Sequence, residues 1–227
     1  MFTPDEAGTA PTGIVVDVVR ATSTICQALA SGYERVFCAA EVDDARVLRE
    51  TLGGGVLGGE RNAVRIPGFD LGNSPREYLE PVGATLILST TNGTRAVVAA
   101  AQRCERVLIA SLLNVSAVVA AARAHGEDVL VVCAGVQGTM NLDDSYVAGR
   151  IVELLGWERT DAAEAAARLV ATWSGAEDAF RASKSGRNLV QNAPELEPDI
   201  VFCAREGVLD VVPRLVGTRD GASEIML

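Results

Sequence analysis

Two residue types that run much of hydrolase chemistry are almost missing from this chain. Among its 227 residues, His125 is the only histidine and Lys184 the only lysine. His125 follows Ala122-Arg123-Ala124 and precedes Gly126, a helix-end setting where it complements the dipole. Histidine-based phosphatase mechanisms are therefore left without their parts. Metal-ligand cysteine spacing is missing too. The five cysteines, Cys26, Cys38, Cys104, Cys133 and Cys203, form no CxxC pair and no zinc pattern. Their odd number argues against a disulfide framework. Cys38, Cys133 and Cys203 stand in apolar runs and read as small buried hydrophobes. No apolar run is long enough to span a bilayer. Residues 1–6 lack the basic and apolar regions of a signal peptide. A cytoplasmic protein with no membrane partner is expected, and a homo-oligomer is compatible with the sequence. The net charge of −10 opposes a general nucleic-acid surface. An anionic ligand then needs local positive charge or a metal ion.

What is present is regular alternation. Strand-like segments over 13–18, 35–40, 56–59, 84–89, 106–110 and 128–134 alternate with helical ones over 21–31, 41–52, 96–101, 114–125 and 143–155. That order predicts an α/β fold, three-layer α/β/α, with a mainly parallel sheet and right-handed crossovers. Beyond residue 160 the pattern turns helical, over 161–174, 175–183 and 199–206, with 208–212 as a closing strand. One domain over 1–227 is expected, with an N-terminal arm at 1–12 and a helical portion at 160–207. Between 60 and 74 lies a long loop rich in Gly, Pro, Asn and Asp, and loops of that length are often functional. Ser74-Pro75-Arg76-Glu77 reads as a capping box with proline in the first turn.

In such sheets ligands sit beyond the carboxyl ends of the strands. Five segments there are unusually polar: 17–24, 60–74, 90–95, 111–114 and 135–144. The richest is Thr90-Thr91-Asn92-Gly93-Thr94-Arg95, between a strand and a helix start. Its hydroxyls, amide and free helix N–H groups suit a phosphate or similar oxyanion, although Asn-Gly is also an ordinary turn and Thr94 an ordinary cap. Asp17, followed by Arg20, Thr22 and Thr24, can bind Mg²⁺, attack phosphorus, or simply cap a helix. It is not the nucleophile motif of haloacid dehalogenase-type phosphatases, which needs a second Asp where Val19 stands. Asp17, Glu60, Asp70 and Asp143 are hard oxygen donors of the kind Mg²⁺ takes in small numbers; Asp143-Asp144 also complement a helix dipole. Arg20, Arg61 and Arg95 are the best anion clamps, because a guanidinium fork matches oxyanion geometry.

Taken in order, Asp17-Val18-Val19-Arg20-Ala21-Thr22-Ser23-Thr24, Gly59-Glu60-Arg61, Gly68-Phe69-Asp70-Leu71-Gly72-Asn73-Ser74-Pro75, Thr90-Thr91-Asn92-Gly93-Thr94-Arg95-Ala96 and Cys133-Ala134-Gly135 resemble the 2-phosphosulfolactate phosphatase family. The resemblance runs from about residue 13 to 213; Ala63 stands where glycine is expected. It implies Mg²⁺-dependent hydrolysis of (R)-2-phospho-3-sulfolactate to 3-sulfolactate and phosphate. In methanogens that step belongs to coenzyme M biosynthesis, and relatives exist in bacteria outside that setting. By this resemblance Asp17 either attacks phosphorus or orients a water, with Mg²⁺ on Asp17 and one or more of Glu60, Asp70 and Asp143. Arg20, Arg95, Thr22, Asn73 and residues 90–94 hold the phosphoryl oxygens. Arg61, Lys184 or Arg187 hold the sulfonate and carboxylate. The alternatives are a phosphatase for another phospho-hydroxy acid and a non-catalytic module that binds a phosphorylated metabolite.

Overall fold

The structure, a computed structural model, describes residues 2–6 and 8–227; Met1 and Ala7 of the expected arm lie outside the described residues. Six parallel strands form two blocks. In one, β1 (Thr12–Val16) lies between β6 (Arg106–Ala110) and β7 (Val129–Cys133). In the other, β5 (Thr85–Ser89) lies between β2 (Arg35–Cys38) and β3 (Val56–Arg61). Their apolar runs are buried on both faces, as covered parallel strands require.

Between the blocks sits a feature the sequence reading does not anticipate. Residues 208–212 form no strand. The sheet is joined instead by a hairpin of β8 (Arg214–Arg219) and β9 (Ala222–Met226), antiparallel to β6 on one side and to β2 on the other. Asp220 and Gly221 both have positive φ, 48° and 80°, the conformation for which Asp-Gly hairpin turns are chosen. With β4 (Val64–Arg65) on the outer edge of β3, the sheet has nine strands in the order β4-β3-β5-β2-β9-β8-β6-β1-β7.

Helices α1 (Ala21–Ser31), α2 (Val42–Thr51), α3 (Gly93–Ala101), α4 (Val115–His125) and α5 (Leu142–Leu155) connect the strands. In α1 every residue from Ala21 to Leu29 is buried, so this helix is enclosed on all sides rather than laid on a surface. The helical portion comprises α6 (Asp161–Val170), α7 (Ala176–Ala182), α8 (Lys184–Asn192) and α9 (Pro198–Cys203). It shares a core with β1: Phe180, Leu189, Ile200 and Cys203 join Ile14 and Val16 in one buried cluster.

The long loop is partly ordered as a hairpin. Arg61 pairs with Val64, leaving Asn62 and Ala63 as a two-residue turn with φ of 55° and 69°. Asparagine tolerates that region; alanine there costs about 1 kcal/mol. Ala63→Gly is therefore expected to stabilise the fold by roughly that amount, a rise in melting temperature of about 2–4 °C. Thermal unfolding showing no gain would contradict the strained assignment of this turn.

Candidate active site

The carboxyl end of β1 is closed by Asp17. Thr22 Oγ1 donates to the Asp17 carbonyl at 2.9 Å and accepts from the Asp17 N–H at 3.1 Å. Thr22, expected on the phosphate, is thus occupied in shaping the turn. The Asp17 carboxylate accepts from Ala21 N–H at 3.4 Å, at the head of α1. Its other oxygen lies against the head of α3, where a Cβ on Gly93 would come within 3.1 Å of Asp17 Oδ2 and 2.8 Å of Ala21 Cβ. Gly93 is small because two helix N-termini meet over one carboxylate.

Asp143 and Asp144 open α5 and divide their work. Asp144 accepts from Val18 N–H at 2.9 Å and Gly135 N–H at 3.0 Å, tying the ends of β1 and β7 together. Asp143 is fully buried, and neither of its oxygens has a hydrogen-bond partner. Burial pushes its carboxyl up to about 8, and the Asp17 charge adds to the shift. The nearby N–H groups of residues 143 and 144 and the Ser185 hydroxyl oppose it without reaching hydrogen-bond geometry. Asp17 is pushed up to about 7 by burial, opposed by Ala21 N–H and Arg20 and reinforced by Glu60. Asp144 is also raised, by burial and then by Asp143 and Asp17. The end of β1 therefore carries two coupled acids that titrate near neutrality.

Glu60 borders the same crevice as Asp17 but is already engaged. Its Oε1 accepts from Thr91 N–H at 3.1 Å and Thr91 Oγ1 at 2.9 Å, and its Oε2 from Ala63 N–H at 2.8 Å. It clasps the β3–β4 turn to the β5–α3 turn. Arg20 is buried; one amino group donates to Asp199 at 2.8 Å and the other to the Ala63 carbonyl at 3.0 Å. Asp199, on α9, is fully buried and also accepts from the Ser74 hydroxyl at 2.7 Å. Glu77 accepts from Ser74 N–H at 3.3 Å, completing the capping arrangement expected at residues 74–77.

A crevice of about 120 Å³ unites these elements. Asp17, Arg20, Glu60, Asn73, Thr90, Thr91 and Asn92 border it, so residues from β1, β3, β5 and the 60–74 loop meet as expected. The Thr90 hydroxyl makes no hydrogen bond within the described residues, and Asn73 Oδ1 is buried without a partner. The 135–144 turn reaches the crevice through Val136 and Gln137. The 111–114 turn does not. Ser111 and Asn114 cap each other, with bonds of 2.9 Å from Ser111 N–H to Asn114 Oδ1 and 3.2 Å from Leu113 N–H to Ser111 Oγ.

Several expected site residues are turned elsewhere. Arg95 is exposed and faces Asp5 at 3.8 Å, a contact of little energetic weight. Arg61 donates to the Glu60 and Ala40 carbonyls and to Ser89 Oγ at 2.8, 3.1 and 3.0 Å. Asp70 accepts from Leu57 N–H at 2.8 Å and pairs with Arg49 at 3.3 Å, bracing β3 against α2 outside the crevice. Thr94 donates to the Ala39 carbonyl at 3.4 Å. Lys184 donates to Gln137 at 2.9 Å, and Arg187 turns back to the Ala182 carbonyl. In each case a carbonyl, carboxylate or N–H group outside the crevice takes the side chain, except that Lys184 meets Gln137 at the crevice border.

Conversely, α8, of which only Lys184 and Arg187 are expected at the site, supplies a wall through other residues: Ser185, Asn188, Leu189 and Asn192 border the crevice. Their spacing of three, four and seven is one helix face, and that period is written in the sequence. Asp199 carries no such signal.

No three His, Cys, Asp or Glu side chains among the described residues form a metal cage. The donors do fit a hard divalent ion bound by one or two carboxylates with water and substrate oxygens. Asp17 and the unpartnered Asp143 would be the carboxylates, with the Asn73 side-chain oxygen as a neutral donor. Thiol chemistry has no place here: Cys26, Cys38 and Cys203 are buried and pushed up to about 12. His125 is exposed at the end of α4, away from the crevice lining. No helix among the described residues is long and apolar enough to cross a membrane.

Comparison with known proteins agrees with this geometry. The model of the 2-phosphosulpholactate phosphatase family matches residues 1–218. A protein of Thermotoga petrophila is 38% identical over 209 residues, covering 90% of this chain and 89% of its own length. One of Symbiobacterium thermophilum is 40% identical over 210 residues, covering 88% and 89%. One of Synechococcus sp. is 38% identical over 230 residues, covering 94% and 93%. Each of the three bears the name "probable 2-phosphosulfolactate phosphatase". With acids, arginine and phosphate-sized turn gathered at one crevice and a match across nearly the whole length, the chain belongs to the 2-phosphosulfolactate phosphatase family of phosphoric monoester hydrolases.

Proposed function

We propose that the chain hydrolyses (R)-2-phospho-3-sulfolactate to 3-sulfolactate and phosphate, with Mg²⁺, in the cytoplasm. The observation that carries the metal-assisted reading is Asp143, buried behind the crevice lining without a partner on either oxygen and near enough to Asp17, which borders the crevice, for that charge to raise its carboxyl. Asp17 and Asp143 would hold the ion, which would supply charge neutralisation for phosphoryl transfer. Arg20, the Thr90 hydroxyl and the free N–H groups at the head of α3 hold the remaining phosphoryl oxygens. Glu60 fixes the turn carrying Thr91, and Asp199 with the Ala63 carbonyl fixes Arg20. Water oxygen bonds to phosphorus, the bond from phosphorus to the C2 oxygen breaks, and a proton reaches that oxygen to give the hydroxy acid. Positioning and charge stabilisation supply most of the rate, because phosphoryl transfer asks for little covalent chemistry from the protein.

Phosphate release from a panel of phospho-hydroxy acids, with and without EDTA, tests this directly. Activity is expected on the sulfonated substrate and lost on metal removal. Asp17→Asn is expected to lower turnover by at least about 10³-fold without loss of fold. Ligand protection from heat with no phosphate release, with or without Mg²⁺, would instead establish a binding module.

The acid pair also predicts a pH dependence of stability. Asp17 and Asp143 stand at about 7 and about 8 when folded, against a starting value of 3.8. Between those limits the folded state holds more protons than the unfolded one, so these groups make stability fall as pH rises. The metal-free protein is expected to melt lower at about pH 8.5 than at about pH 6, Asp143→Asn to flatten that slope, and Mg²⁺ to raise the melting temperature most at the alkaline end. A metal-free protein that gains stability across this range would refute the assignment of two buried acids whose carboxyls are raised by burial.

A further inference from the structure

We infer that the crevice face of α8, through Asn188 and Asn192 with Ser185, is the specificity surface for the sulfonate end of the substrate, and that it works with neutral hydrogen-bond donors rather than cations. This rests on the function proposed above. A substrate with a phosphate, a carboxylate and a sulfonate brings three anionic groups to a crevice bordered by one cation, Arg20. Arg20 is already paired with Asp199. Of the other basic groups nearby, Arg61 and Arg187 are bonded away from the crevice, and Lys184 is tied to Gln137 at its border. The strand ends are occupied with acids and with the phosphate-sized turn at 90–93. What remains is α8.

Its donors are free. The Asn188 and Asn192 side chains make no hydrogen bond within the described residues. Asn141 Nδ2 donates to Ser185 Oγ at 2.6 Å and the Ser185 hydroxyl also lies near Asp143, so the two asparagines are the open donors. The face is held in place. Ser183 caps α8 by accepting from Gly186 N–H at 2.9 Å. A Cβ on Gly186 would fall 2.0 Å from the Phe180 carbonyl, so α8 lies directly on the end of α7. A sulfonate spreads one charge over three weakly basic oxygens. It gains less than a carboxylate or phosphate from an ion pair, and several amide N–H donors can match its three acceptors. An amide wall also leaves the crevice less positive, so the acids at its floor keep their affinity for a cation.

The test is the ratio of kcat/KM for 2-phospho-3-sulfolactate to that for 2-phospholactate, which has a methyl group where the substrate carries CH₂SO₃⁻. It is measured for the wild-type chain, Asn188→Ala, Asn192→Ala and Lys184→Ala. Each asparagine variant is expected to lower the ratio roughly tenfold to hundredfold, chiefly through KM for the sulfonated substrate. Lys184→Ala is expected to leave the ratio unchanged. An unchanged ratio in both asparagine variants, or a collapse in Lys184→Ala, overturns the inference while leaving the phosphatase reading intact. If Asn188→Ala fails to fold, Asn192→Ala decides, since Asn192 is exposed at the last turn of α8. A wild-type chain that hydrolyses neither compound overturns the function proposed above, and the inference with it.

Discussion

Three carboxylates buried around one strand end set the terms for the rest of the molecule. Asp17, Asp143 and Asp144 are all nearly or wholly withdrawn from solvent at the carboxyl end of β1. Burying a carboxylate is costly unless hydrogen bonds or opposite charge compensate. Asp144 is compensated by two backbone N–H groups, and in return it holds the ends of β1 and β7 in register. Asp17 is compensated in part by the heads of α1 and α3, which explains why both helices begin there and why Gly93 has no side chain. Asp143 has no hydrogen-bond partner on either oxygen and only weak compensation from the N–H groups of residues 143 and 144 and the Ser185 hydroxyl. The fold thus carries an unrelieved electrostatic demand at the point where strand ends and helix heads converge.

The C-terminal helices answer a second demand. Arg20 is buried at the crevice edge and needs an anion; α9 brings Asp199 to it from 179 residues away in the chain. A buried ion pair gives little net stability, but loss of either partner leaves an unpaired buried charge. Ser74 and the Ala63 carbonyl complete the partner set, so the 60–74 loop, the head of α1 and α9 are fixed relative to one another by one guanidinium. The helical portion is thereby part of the site: α9 orients Arg20, and α8 forms a wall. The cations expected on the substrate are absent from that wall because each has a nearer carbonyl or amide to bond.

Much of this was legible in the residues. Alternating apolar and helical segments gave the parallel blocks, since a buried strand and an amphipathic helix differ in period. Polar turns at strand ends single out Asp17, Glu60, Asn73 and Thr90, which border one crevice. The hairpin β8–β9 was missed although Asp220-Gly221 is a strong turn signal, because the flanking strands are exposed on β8 and lack an apolar alternation. Direction was the harder part. Arg95 and Thr94 sit one residue apart at the head of α3, and nothing local distinguishes the residue facing Ala39 from the one facing Asp5. Asp70 and Glu60 look alike as loop acids; only the sheet register, which places Asp70 under Leu57 N–H, separates them. Asp199 was invisible because its meaning lies wholly in a partner remote in sequence.

The floor of the crevice also bears on the choice between an enzyme and a binding module. A module that merely retained a phosphorylated acid would gain from cations and amides and lose from carboxylates. Like charges at ~4 Å repel by about 4 kcal/mol at an effective dielectric near 20, so unpartnered Asp143 and half-compensated Asp17 work against an anionic guest on their own. They become favourable only when a proton or a divalent cation stands between them and the phosphate. The protonated state is available near neutrality, given where the two acids titrate. It would leave them without the negative charge that holds an ion, and the crevice with Arg20 as its lone counter-charge. A divalent cation held as proposed would meet these constraints together: it would relieve the buried acids and compensate the charge of the guest. A site that sets buried acids beside an anionic guest is better suited to stabilising a charged transition state than to storing a ligand.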